Sequence, residues 1–541
     1  MDTIWKAKSI SHNNGKERSE SIWVQKEYWK VQDSYQYQEK EDKESNKLKP
    51  EEEKPIIDKK NNRSISLQGD ISTEVAVIGA GLAGVLTAYM LQERGISVVV
   101  IEQNQVGSGI TKNTTAKITS QHGLIYQKLL RYKGEERARE YARANQMAIQ
   151  KFEEISSNLN IDCDYEILPN YIYSLKSEQK IRREVEAAKR IGLPATYTRD
   201  TTLPFQVKAA VRLDNQAQFH PIKFLEGVAG KLTIYENTKI TEIKKDGLII
   251  TEQGKVKAKS IVIATHYPFI NTPGYYFLRL HQERDYLTAL QGWEKGNNTL
   301  DGMYLDEDKN GFTFRTYQNY LLCGGGYHRT GDNNPINSYE KIETAVKKWF
   351  PEASIKYTWS NQDCITPDGV PYIGRYSART PNIYVATGFN KWGMSSSMVA
   401  AQIISDLIIN NESEYQKVYY PRRLMFSGSK VLLKDTGIIA KNLLSEHLKI
   451  SKDKLGEIQP NKAGIINYNG QKYGVYRDKE DRYYFVTTKC PHLGCSLEWN
   501  QNELTWDCPC HGSRFDYRGR LISNPAMRDA FDTCQRKLIK K

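Results

Sequence analysis

The sequence predicts an α/β protein that ends in a small all-β domain. Two patterns carry this prediction. From Ile71 a β-branched strand, a helix pattern and a second β-branched strand follow one another, and helical and strand patterns alternate from there to residue 410 without internal repeats. From Gly456 the pattern changes to short strands broken by Asn-Gly, Arg-Gly and Asp turns, as in a small antiparallel domain.

In chain order, residues 1–70 form a polar N-terminal segment. Lys40–Lys60 mixes Lys and Glu with two prolines and few core-forming side chains, which predicts a partly flexible stretch without chemistry of its own. Residues 71–410 are the main α/β unit, 411–455 a connector, and 456–541 the β domain. Met394–Asn410 is apolar on one face and interrupted by Asp406, so it predicts a packed helix. No run of about eighteen apolar residues occurs, so no transmembrane segment is expected. Residues 1–20 lack the apolar core of a secretion signal, and a cytoplasmic location is the expectation.

At 541 residues the chain exceeds one ordinary core. Its net charge is +13, but the lysines are scattered among Glu and Asp. No basic stripe interleaved with aromatics is found, so no nucleic-acid partner is expected. Of eight cysteines, four fall within twenty-one residues beside two histidines, which points to metal chemistry and not to a disulfide scaffold.

The first strand, Val75–Ile78, runs into Gly79-Ala-Gly81-Leu-Ala-Gly84, which opens a helix stopped by Gly95, and Glu102 ends the second strand. This is a dinucleotide fingerprint. Gly79 makes the tight turn, Gly81 admits the pyrophosphate to the backbone, and Gly84 lets helix and strand approach. Glu102 can accept from ribose hydroxyls. The fingerprint does not by itself choose between FAD and NAD. Tyr320–His328 has glycines after a strand but fails the motif, so a single fingerprint is read and a tightly bound pyridine nucleotide is not expected.

Three further segments carry a resemblance. Gly107–Thr119 (GSGITKNTTAKIT), Cys364–Arg375 (CITPDGVPYIGR) and Ile383–Ser397 (IYVATGFNKWGMSSS) resemble FAD-dependent oxidoreductases of the D-amino-acid oxidase and glycine oxidase superfamily. The resemblance implies a Rossmann-like FAD-binding domain with an inserted α+β substrate domain. It places Gly79, Gly81, Gly84, Glu102, Thr115, Ala116, Lys117, Gly388, Gly393 and Met394 against FAD, with Lys117 or Lys391 near the isoalloxazine. Arg315, in Phe-Thr-Phe-Arg, matches an arginine that grips substrate carboxylates in amine-oxidising relatives. It reads equally as an ion-paired or surface arginine. His220 and His266 read as structural, and Cys323 and Cys364 as core thiols.

Near the C-terminus stand two matched boxes, Cys490-Pro-His492-Leu-Gly-Cys495 and Cys508-Pro-Cys510-His511-Gly-Ser513, with fifteen residues between His492 and Cys508. A zinc ion would take four of the six Cys and His and leave two over. A [2Fe–2S] cluster with two thiolates on one iron and two imidazoles on the other needs one Cys and one His from each box. The pair of boxes resembles Rieske domains. That resemblance implies Cys490 and Cys508 on one iron, His492 and His511 on the other, and a disulfide between Cys495 and Cys510. It also implies a hydroxyl from Ser513 to a bridging sulfide and a covering loop at Pro525. Phe515 stands where a Tyr often donates to a ligand sulfur. Phe cannot donate, so an intermediate potential is expected.

The whole resembles a bacterial FAD-dependent oxidoreductase fused to a C-terminal Rieske domain. It implies oxidation of a small amine or amino-acid-like substrate by hydride transfer to FAD, with single electrons passing through the cluster to a partner not named by the sequence. The alternative is a flavin–Rieske electron-transfer protein working in the reductive direction or as a relay. A Rieske oxygenase would need a mononuclear iron on two His and a carboxylate, and no close His pair lies outside the boxes.

Overall fold

The computed structural model describes residues 21–24, 57–58, 63–64, 66–294, 299–332, 337–423, 433–440, 442, 454–468 and 470–531. The elements that carry the sites are, in chain order, β1 (Ile71–Ile78), α1 (Leu82–Glu93), β2 (Val98–Ile101), β3 (Lys255–Ile263), β4 (His281–Gln291), β5 (Tyr320–Arg329), β6 (Ser354–Ile365), β7 (Thr380–Thr387) and α2 (Gly393–Ile409).

The first sheet has β2, β1, β3 and β7 side by side and parallel. Val75, Ala76 and Val77 are buried because helices or other strands cover both faces. Each such valine contributes about 1.5–3 kcal/mol on burial. The helix α1 lies between this sheet and α2, and its residues Leu82–Leu91 are all buried. It stops where Gly95 takes φ +77°. Asp406, the polar interruption in α2, accepts from Arg94 Nη1 at 2.7 Å at the edge of this helix pair.

The second sheet is mixed. Its order runs β6, β4, β5, Thr313–Tyr317, Met303–Asp306, Glu166–Ser174, Ala209–Gln218 and Lys117–Ile118. The strand Lys117–Ile118 leaves the segment that follows β2, so the nucleotide unit and the substrate unit are stitched together there. The C-terminal domain comprises a three-stranded and a four-stranded antiparallel sheet between Lys462 and Ser523. Among the described residues no helix is long and apolar enough to cross a membrane.

The N-terminal region departs from the polar, chemistry-free segment expected of it. Ile22 and Trp23 are fully buried. Trp23 Nε1 donates to Thr114 O at 2.7 Å and its ring packs edge-on against His220 and Tyr317. Two short strands, Ile57–Asp58 and Arg63–Ser64, extend the first sheet. An isolated Ile-Trp pair in a polar stretch has no periodicity, so only the fold reveals it as an anchor. Apart from Ile57 and Asp58, the Lys40–Lys60 stretch lies outside the described residues.

Candidate functional site

The two boxes fold into matched loops. In the first, Cys490 N donates to Cys495 O and Gly494 N to Cys490 O; in the second, Cys508 N donates to Ser513 O and Gly512 N to Cys508 O. Gly494 and Gly512 take φ of +82° and +84°, which a side chain would strain. The loops face each other. Cys490 and Cys508 share a hydrogen bond between their sulfurs, which favours one thiolate and disfavours a second beside it. The rings of His492 and His511 lie 4.9 Å apart and perpendicular.

Cys495 and Cys510 are joined by a disulfide between the loops. The sulfurs of Cys495, Cys508 and Cys510 lie within 4.8 Å of one another because that disulfide packs against Cys508. Its two sulfurs are bonded to each other and are not free to ligate.

This donor set fits an iron–sulfur cluster. Burial lowers the pKa of His492 to about 4 and of His511 to about 3, so both imidazoles are neutral, the ligating form. The Nδ1 atoms of both rings are buried and make no hydrogen bond to the protein. Buried polar atoms left without a partner mark a place for an ion. The other nitrogen of His492, Nε2, donates to Asn271 Oδ1 at 2.9 Å, which fixes the ring's orientation. The Ser513 hydroxyl hydrogen-bonds Cys490 and accepts from Ala526 N at 3.0 Å, beside the Pro525 loop.

The fingerprint also has the shape its residues require. A Cβ on Gly79 would sit 2.8 Å from Ala264 O, and one on Gly84 only 1.9 Å from Gly79 O. Gly81 caps α1 without a side-chain hydrogen bond of its own, and Thr111 Oγ1 accepts from Leu82 N at 3.2 Å, so the Thr111 hydroxyl stands at the helix terminus where a phosphate would bind. Glu102 accepts from Ala80 N and Asn104 N, both at 2.8 Å, and burial raises its pKa. The later segment approaches the same strand ends. Gly388, at φ +72°, follows β7, and Gly393 and Met394 open α2. His122 binds the two segments together. Its ring lies against Thr119 O and Ser395 Oγ, stacks on Trp392 at 4.8 Å, and has a pKa lowered to about 3 by burial.

Two candidates of the sequence reading stand elsewhere than expected. The Nη1 of Arg315 donates to the carbonyls of Thr115, Ala116 and Phe219, and the guanidinium stacks on Trp23. It is buried, and burial lowers its pKa to about 9. It braces the Thr115–Ala116 turn, where Ala116 has φ +56°. Lys117 turns away from the fingerprint and donates to Tyr304 O at 2.7 Å and to Thr313 Oγ1.

Lys391 instead faces a wall of acids. Its Nζ lies 2.9 Å from Glu283 and 3.0 Å from Asp285, and 4.2 Å from the Tyr327 ring centre. Asp363 completes the group. Burial and Asp285 raise its pKa to about 8. Sequence reasoning missed these acids, although the alternation His281, Glu283, Asp285 along one strand is the signal that could have shown them.

Residues 74–407 match the family model for FAD-dependent oxidoreductases, and residues 450–535 that for the Rieske [2Fe–2S] domain. The chain belongs to the FAD-dependent oxidoreductase family. The oxidoreductase is 36% identical to YhfW of Bacillus subtilis, a protein named for a Rieske 2Fe–2S iron–sulfur centre, over 86% of this chain and 94% of that one. It is 21% identical to gamma-glutamylputrescine oxidoreductase of Escherichia coli over 68% of this chain and 91% of the other. Among solved structures, L-proline dehydrogenase from P. horikoshii superposes with a TM-score of 0.56 at 20% identity, covering 66% of this chain and 98% of that one, which shows the shared fold. The oxidoreductase is thus a flavoenzyme that carries FAD and a [2Fe–2S] cluster.

Proposed function

We propose that this oxidoreductase dehydrogenates a small amine or amino-acid-like substrate and exchanges the electrons singly with a partner through its Rieske cluster. When bound, FAD accepts a hydride from a carbon next to nitrogen, and the cluster carries one electron at a time. The observation that carries the reading is the seating of the cluster loops on the nucleotide sheet. Asn524 Nδ2 donates to Thr265 O at 3.2 Å and Tyr267 O at 2.8 Å, just past the end of β3.

In this reading Cys490 and Cys508 hold one iron and His492 and His511 the other. Gly79, Gly81 and Gly84 admit the FAD pyrophosphate, and Glu102 takes the ribose. Gly388, Gly393 and Met394 close over the flavin, and Thr115 and Ala116 line it from the opposite segment. Arg315 holds that segment in shape. Glu283 and Asp285 outnumber Lys391 in this group, with His281 3.6 Å from Glu283 and the Asp363 carboxyl protonated beside them, a balance that suits a cationic amine better than a free carboxylate. The names of relatives that act on amines and amino acids support the same class.

Anaerobic addition of amines and amino acids tests the proposal. A substrate bleaches the flavin absorbance and then produces the reduced Rieske EPR signal. Failure of every amine and amino acid to bleach the flavin would contradict the substrate class.

A further inference from the structure

We infer that Gln282 and Gln362 form a fixed polar clamp that seats the cluster loops on the flavin sheet, acting as positioning residues for electron exchange. The inference deepens the proposed function and rests on its reading that both groups occupy these sites.

The clamp follows from the two faces of β4. Glu283 and Asp285 point to Lys391, whereas Gln282 and Arg284 point to the C-terminal domain. Gln282 and Gln362 are each 2% exposed or less. Gln282 Nε2 donates to His511 O at 2.8 Å and to Asn524 O at 3.0 Å. Its Oε1 accepts from Gln362 Nε2 at 2.8 Å, and the same Nε2 donates to Gly512 O at 2.8 Å. The approach is close: a Cβ on Gly512 would meet Gln282 at 2.6 Å.

The other side of Gln282 meets the flavin sheet. Its side chain lies beside the His266 imidazole. That residue lies two positions beyond Ala264, whose carbonyl packs against Gly79 of the fingerprint. One amide therefore touches both a residue at the nucleotide strand's end and the backbone of a cluster ligand. Hydrogen bonds through buried amides fix both the distance and the direction between two domains, and each must be exchanged for water on separation. A tethered, swinging domain would present polar groups satisfied by water. The exchange served here is a one-electron step: reduced flavin loses one electron, one ferric ion of the cluster gains it, and the flavin's proton passes to water.

The test uses the full chain loaded with both groups and needs no substrate. A light flash with deazaflavin, and EDTA as the sacrificial electron donor, reduces the flavin, and the cluster's absorbance reports the transfer. In the unmodified protein the transfer rate stays constant as glycerol raises the viscosity; a rate that falls in proportion to viscosity overturns the clamp. In the double variant Gln282→Leu, Gln362→Leu the rate drops by about tenfold, the factor that a lost buried hydrogen bond carries. The cluster's EPR signature and midpoint potential stay unchanged. An unaltered rate in that variant, with both groups bound, also overturns it. Should the variant lose its cluster, the glycerol series on the unmodified protein decides. Because the photoreductant and not a substrate supplies the electron, failure of the clamp is separate from failure of the amine screen.

Discussion

The cluster site draws its four candidate ligands from the span between Cys490 and His511, whereas the proposed flavin site draws on segments near Gly79, Thr115 and Gly388 that meet only when β1, β3 and β7 pair. The first is a local object: two loops, each closed by its own backbone hydrogen bonds and a positive-φ glycine, tied by one disulfide. The second is a product of topology. Local sites tolerate damage elsewhere in the chain, and dispersed sites inherit every defect of the sheet beneath them. The two should therefore fail independently under mutation, and at different thresholds.

The sharpest way to break this comparison is Cys508→Ser. It removes a candidate ligand, so the Rieske EPR signal should vanish while FAD stays bound in full, as measured by absorbance after desalting. Loss of FAD from that variant would mean that the sites are not separable. The converse is Gly84→Val, which forces a side chain onto Gly79 O. It should cost about 3 kcal/mol, at the upper end of overpacking, and empty the flavin site. The isolated cluster signal should persist. Chemical denaturation followed by flavin fluorescence and by cluster absorbance reads both.

Smaller effects refine the picture. Cys495→Ser with Cys510→Ser should destabilise the C-terminal domain by about 3 kcal/mol, the value for closing a loop of this length, and leave the flavin transition in place. The acid wall gives a pH signature of the flavin side. The Asp363 carboxyl has a folded pKa raised to about 8, well above its unfolded value, so the folded state holds the extra proton between the two. Its contribution is fully present below the unfolded pKa and is lost as pH rises through the folded one. Stability should therefore fall between about pH 4 and 8, by at most about 1.4 kcal/mol per pH unit. Asp363→Asn should flatten that fall. A steeper fall in the variant would assign the proton to another group.

The same contrast explains what could be read from the sequence. Cys490, His492, Cys508 and His511 read as one group because their chemistry and spacing are contiguous, and the fold brings their two loops face to face. The Cys495–Cys510 pairing came through the resemblance that those residues carry. The fingerprint was legible because Gly79, Gly84 and Gly95 each answer a local backbone demand, and the strand–helix–strand bounds agree with the fold to within a few residues. Arg315 and Lys117 were placed by position in a motif, but their side chains are engaged by groups distant in sequence, the carbonyls of Thr115, Ala116 and Phe219 for Arg315 and Tyr304 O and Thr313 Oγ1 for Lys117. No local pattern shows where a long cation's partners come from. Trp23, His122, Gln282 and Gln362 were missed for the same reason. Each is an ordinary residue until tertiary pairing brings Thr114, Ser395 or His511 against it.

The central claim is that flavin and cluster of one chain exchange electrons across the seated interface. The most direct measurement is the rate of cluster reduction after anaerobic flavin reduction, repeated across a dilution series of the holoprotein. A transfer within one chain predicts a rate constant independent of protein concentration. A rate that rises in proportion to concentration would show that electrons pass between molecules, and would contradict the account.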